Sequence, residues 1–163
     1  VNRKDIKKEE INVQAVYEDL VVFGVDARDA EDAIRQVGQR LLDKGFVKDT
    51  YIDAVAAREK EYPTGLQLKD MAVAMPHTAG VHVNTPAVCI AKLAHPVTFA
   101  HMGDPDTKVE AELLFMMAIQ SPDAQLDTLQ KVMGVFTNEA AVAQFKAAAD
   151  KNALYETAKQ YIG

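Results

Sequence analysis

The chain has 163 residues, 48% of them hydrophobic and 26% charged, the balance of one folded domain with a sizeable core rather than of a disordered chain. Its 18 basic against 24 acidic side chains give a net charge of −6. Apart from the stretch Lys4 to Lys8 the basic residues are scattered, which argues against a nucleic-acid partner. The longest apolar run, Leu113 to Ile119, is far short of a bilayer span, and the opening Val1-Asn2-Arg3-Lys4-Asp5 lacks a signal peptide's apolar stretch. The expectation is a cytoplasmic protein with no direct membrane insertion. The single cysteine, Cys89, excludes an internal disulfide and fits a reducing compartment.

In chain order, residues 1–12 are polar and aperiodic and read as a tail or edge segment, leaving 13–163 as one domain. Leu20-Val21-Val22-Phe23 reads as a short strand closed by Gly24. A helix follows, with Asp26 as its cap, Ile34, Val37 and Leu41 at helical spacing and Gly45 as its stop. A second helix covers about 48–61, with Ile52, Val55 and Ala56 as its apolar stripe, and Tyr62-Pro63-Thr64-Gly65 makes a turn. The middle is strand-rich: Met71–Met75, Ala87–Leu93, Val97–Phe99, and the long apolar run Glu110–Ile119 of a central strand. Helices then return. Ser121-Pro122 is a cap with proline at the first helical position, and Leu126, Leu129, Met133 and Phe136 make the face that packs on the sheet. Asn138 caps the next helix, with Val142 and Phe145 on one side, and Leu154, Ala158 and Tyr161 mark the last. This order predicts an α/β sandwich, a mixed β-sheet flanked by helices.

All four histidines, His77, His82, His95 and His101, fall between Met71 and Gly103. His77 stands apart because it follows a strand-like pentad and a proline, in Ala74-Met75-Pro76-His77-Thr78. Proline fixes its own φ and holds Met75 extended, so the strand stops and the histidine is presented at its carboxyl end, where open α/β sheets carry functional side chains. The plain alternative is a histidine in an ordinary strand-to-loop turn. No HExxH or paired-cysteine spacing supports a metal site, and no cofactor is expected. Cys89, within Val88-Cys89-Ile90, reads as a buried small hydrophobe with a raised pKa rather than a nucleophile. Arg58-Glu59 is either a solvated pair or places Arg58 inward against an anion, since a guanidinium matches phosphate oxygens.

Taken together, Arg58-Glu59, Pro63-Thr64-Gly65 and the apolar strand ending in Pro76-His77-Thr78 resemble the mannitol/fructose-type IIA domains of the phosphoenolpyruvate-dependent sugar phosphotransferase system. His82-Val83, Pro86-Ala87-Val88, Pro96-Val97 to Met102-Gly103, the run Glu110–Ile119 and the helix from Pro122 continue the match from about Leu20 onward. The resemblance implies a phosphohistidine relay. His77 accepts phosphoryl from phosphorylated HPr and hands it to a cysteine of a IIB component, expected as a separate chain. It matches Arg58 to the family's arginine near the phosphorylation site and Thr64 to its threonine. Mannitol- and fructose-specific members carry a second histidine where this chain has Gln125-Leu126, a variation similar to galactitol-type IIA proteins. A glutamine donates a hydrogen bond but carries no proton or positive charge. Phosphorylation adds roughly −1.5 to −2 charge, and Arg58, the Thr64 hydroxyl and Gln125 are the candidates to meet it. Gln125 is expected to approach His77.

Two other functions compete with the sugar relay. One is a regulatory IIA of the nitrogen-related branch, with the same fold and histidine; the other is a non-catalytic module in which His77 lines a ligand or metal pocket.

Overall fold

The structure, a computed structural model, describes residues 15–163; the polar segment 1–12 lies outside them. Five strands form one mixed sheet: β1 (Val21–Val25), β2 (Leu66–Gln67), β3 (Ala72–Ala74), β4 (Ala87–Ala100) and β5 (Lys108–Ala118), in the order β1-β4-β5-β3-β2. The apolar run assigned to a central strand is β5, at the middle of the sheet. It pairs antiparallel with β4 and parallel with β3, while β1 runs parallel to β4 and β2 antiparallel to β3.

Helices cover both faces, and the period of two along each strand sorts its side chains between them. Ala72, Ala74, Ala87, Cys89, Ala91, Leu114 and Met116 face helices α1 (Ala30–Asp43) and α2 (Tyr51–Glu61), meeting Ile34, Val37, Leu41 and Val55. Val73, Met75, Val88, Ile90, Leu113, Phe115 and Met117 face α3 (Pro122–Phe136), α4 (Glu139–Ala147) and α5 (Lys151–Tyr161), meeting Val132, Val142, Phe145 and Leu154. Burial on both sides is why these strands read as continuous apolar runs rather than alternating ones. Cys89 is fully buried and its thiol is pushed up to about 12 by desolvation, as expected for a small core hydrophobe.

Several boundaries differ from the sequence reading. Gly24 lies inside β1, at the register shift between Phe23 and Val25, instead of ending it. The first helix is capped by Asp29, whose side chain accepts from the Asp32 N–H, and not by Asp26. The two segments Ala87–Leu93 and Val97–Phe99 form one strand, β4, with its irregularity between Lys92 and Val97. Leu126 does not pack onto the sheet: it is 56% exposed, and Val132 and Val135 are the buried side chains of α3. The Ser121 and Asn138 caps are where expected, accepting from the Ala124 and Ala141 N–H groups.

Candidate functional site

Because β3 and β5 are parallel, their carboxyl ends share one edge of the sheet, and the residues that follow them meet there. After β3 comes Met75-Pro76-His77. Proline has no N–H and cannot extend the ladder, but its carbonyl accepts from the Met117 N–H at 3.1 Å, which ties the turn to the end of β5. After β5 comes Ser121-Pro122 and the first turn of α3, which brings Gln125 to the same edge. The loop past His77 also packs against this connection. A Cβ on Gly80 would lie 1.7 Å from the Gln120 carbonyl oxygen, so only glycine fits that close approach.

His77 is half-buried, and its Nδ1 lies 2.7 Å from the Met75 carbonyl oxygen. A carbonyl only accepts, so Nδ1 carries the proton and donates; in the neutral ring Nε2 then holds the lone pair. Desolvation lowers the His77 pKa below the ordinary 6.5, the bond to Met75 opposes the shift, and the nearby Arg58 charge adds to it. The ring is therefore mostly uncharged at neutral pH. An NMR titration of His77 is expected to show a midpoint below 6.5; a midpoint at or above it contradicts the environment described. Since the folded value is the lower one, the unfolded chain takes up this proton first as pH falls. His77 thus costs the fold stability below about pH 6.5 and nothing above it.

Arg58, in the last turn of α2, is exposed, with its guanidinium over the Tyr62 ring at 5.1 Å from the centroid. Its neighbour Glu59 is the member of the pair that turns inward, 9% exposed. The Glu59 carboxylate accepts from the Thr64 N–H at 2.6 Å and from the Thr64 hydroxyl at 2.5 Å. The same hydroxyl oxygen accepts from the Met75 N–H at 3.0 Å. Sequence reasoning named Thr64 and missed Glu59. The signal was the spacing from Glu59 to Thr64, which lets a carboxylate in the last helical turn reach back over the turn that follows.

Gln125 donates from Nε2 to the Thr78 carbonyl at 2.9 Å, one residue beyond His77. It thus holds the segment that carries the histidine, through the main chain rather than the ring. Gln125→Ala removes one neutral hydrogen bond, worth about 1 kcal/mol, or roughly fivefold. For the phosphohistidine relay that the resemblance implies, the expected result is a few-fold slower phosphoryl acceptance, with Gln125→His tolerated; a loss as large as that of His77 variants contradicts this place for the side chain.

The other histidines are engaged elsewhere. His82 Nδ1 is 2.8 Å from the Thr50 hydroxyl, His95 pairs with Asp26 at 2.9 Å, and His101 Nδ1 accepts from the Gly103 N–H at 2.9 Å. No group of three or more His, Cys, Asp or Glu side chains among the described residues is arranged to hold a metal ion. No helix among them is long and apolar enough to cross a membrane. The segment after β3, the α2–β2 turn and α3 thus bring His77, Thr64 and Gln125 together through Met75 and Thr78, with the Arg58 charge close enough to act on the ring.

The family described as "Phosphoenolpyruvate-dependent sugar phosphotransferase system, EIIA 2" matches residues 15–161. The galactitol-specific EIIA component of the phosphotransferase system of Escherichia coli (strain K12) is 32% identical over 115 residues, covering 71% of this chain and 76% of that protein. The crystal structure of IIA mannitol from Escherichia coli shares the fold with a TM-score of 0.73 at 21% identity, over 88% of this chain and 99% of that one. So does the IIA mannitol enzyme in its complex with phosphorylated IIB mannitol from the same organism, with a TM-score of 0.72 at 21% identity over 87% and 95% of the two chains.

Proposed function

The chain belongs to the EIIA 2 family of phosphoenolpyruvate-dependent sugar phosphotransferase systems, and on that premise we propose that it is a phosphocarrier taking phosphoryl onto Nε2 of His77. The observation that carries this reading is the Nδ1–H bond to the Met75 carbonyl. It leaves Nε2 as the nucleophilic nitrogen on a half-buried, uncharged ring at the end of a strand that is fixed on both sides.

The donor is phosphorylated HPr. The Nε2 lone pair forms a bond to phosphorus as the donor's own phosphorus–nitrogen bond breaks and its imidazole leaves with the electron pair. In the second step a thiolate of a IIB partner attacks phosphorus and the His77 imidazole leaves. Such transfers depend on positioning and on stabilising charge over the phosphoryl oxygens rather than on many covalent groups. Arg58 supplies the cation. Gln125 fixes the carbonyl beside the ring, and the Met75–Thr64–Glu59 contacts fix the strand end. Val81, in the turn after His77, is 68% exposed, and Leu126, next to Gln125, is 56% exposed. These two side chains offer the apolar contact of a brief docking interface.

The glutamine at position 125 and the galactitol-specific relative both support a galactitol-type uptake system. The test is a reconstituted relay of enzyme I, HPr, this chain and the IIB protein of a galactitol system. Phosphate is expected to reach IIB only when this chain is present. Equal labelling of IIB in its absence, or labelling of IIB from a mannitol system in preference, contradicts the assignment.

A further inference from the structure

We infer that Glu59 is a positioning residue for the transfer: through the Thr64 hydroxyl it anchors the Met75 main chain, and through the Met75 carbonyl it keeps the His77 proton on Nδ1. This rests on His77 being the phosphorylated residue.

The connection is a continuous chain of hydrogen bonds. A hydroxyl has one proton. In Thr64 it is directed to Glu59 at 2.5 Å, which leaves the oxygen's lone pairs for the Met75 N–H at 3.0 Å. That N–H lies just past the end of β3, where the ladder with β5 has stopped at Ala74, so the side chain takes over from the sheet. The antiparallel register of β2 on β3, Leu66 opposite Val73, is what carries the turn before β2 back alongside Met75. Gly65 locks that turn in place. Its N–H donates to the Ala100 carbonyl at 3.0 Å and its carbonyl accepts from the Met102 N–H at 2.8 Å. A Cβ there would stand 2.5 Å from the Ala100 oxygen.

From Met75 to Pro76 every main-chain polar group is thereby held: Met75 N–H by Thr64, Met75 C=O by His77, Pro76 C=O by Met117. The carbonyl that reads the His77 tautomer cannot swing away. If the ring proton moved to Nε2, the Nδ1 lone pair would face a fixed carbonyl oxygen, and the repulsion disfavours that tautomer. A proton on Nε2 blocks the nitrogen that must attack phosphorus.

Glu59 is poorly placed for stability alone. It is an acid in the last turn of a helix, where the dipole disfavours negative charge, and it is buried, which pushes its carboxyl up to about 7 against the pull of the Thr64 bonds. A departure of this kind from the rules for a stable helix end is expected where a side chain serves a site. The hydroxyl proton committed to Glu59 also assigns Thr64 to holding the strand end, in place of donation to the phosphoryl group.

The test uses the full chain with Glu59→Gln, Thr64→Val and Thr64→Ser. Three quantities are read: the His77 tautomer from imidazole 15N NMR without phosphate, the rate of phosphoryl uptake from phosphorylated HPr, and the melting temperature. Wild type is expected in the Nδ1–H form. Thr64→Val and Glu59→Gln should each raise the Nε2–H population and slow uptake by roughly tenfold. The double variant should be no slower than the slower single one, because the two side chains act in series. Thr64→Ser should recover most of the rate lost in Thr64→Val. An unchanged tautomer in both single variants, or a rate loss that follows the melting temperature with the tautomer unmoved, overturns the inference while leaving phosphate on His77. A wild-type chain that takes no phosphate overturns the phosphocarrier reading instead, and the tautomer measurement still decides whether Glu59 anchors the ring.

Discussion

The His77→Gln chain is expected to take up no phosphoryl group from phosphorylated HPr while unfolding close to the wild-type temperature. The loss should be complete because no second nucleophile stands in for the ring. An amide nitrogen has no basic lone pair to attack phosphorus. His82, His95 and His101 lie elsewhere, against Thr50, Asp26 and Gly103, and none of them follows directly on a strand end tied down by a proline. The fold should survive because the side chain is only half-buried and its hydrogen bond goes to the main chain of Met75, two residues away. Thermal unfolding and phosphate incorporation, measured on the same preparation, check both halves. Incorporation at wild-type stoichiometry contradicts the site.

The second large effect is expected at Arg58. Among the described residues its guanidinium has no carboxylate partner within ion-pair distance, and it rests on the face of Tyr62. It is nevertheless near enough to His77 to disfavour protonation of the ring. A cation held by a ring face and left without an anion is ready to meet the phosphoryl oxygens, and its planar fork matches two of them. Loss of one such charge-stabilising donor costs about 10²-fold in rate, the effect expected for Arg58→Ala. Arg58→Lys should fall between, since it keeps the charge and loses the fork. Single-turnover transfer rates for both variants decide the point; rates equal to wild type in both would return Arg58 to an ordinary solvated surface residue.

The parts of this site that sequence alone reveals are those set by neighbours along the chain. Proline before His77, an apolar strand before proline, and Ser121-Pro122 at the start of α3 each act within a few residues, and the structure keeps them all. Glu59 is different. As a residue it is one half of an adjacent charged pair, the usual mark of a solvated surface, and its burial follows from the register that lays the Thr64 turn beside Met75. That register is a long-range property of the sheet. Similar reasons explain the smaller departures. Ala87–Leu93 and Val97–Phe99 read as two strands, yet β4 absorbs the residues between them as a register shift because pairing with β5 resumes at Val97. Leu126 fits the helical stripe of α3 but lies near the start of the helix, where it is exposed. Asp26, Asp29 and Asp32 are three acids in one short window; Asp29 caps because its carboxylate meets the Asp32 N–H.

The most direct test of the central claim is to expose the wild-type chain to phosphorylated HPr, measure its mass, and determine the modified nitrogen by NMR. The expected result is the added mass of a single phosphoryl group, labile to acid, on Nε2 of His77. An unchanged mass, or phosphate on another side chain or on Nδ1 of the same ring, would contradict it.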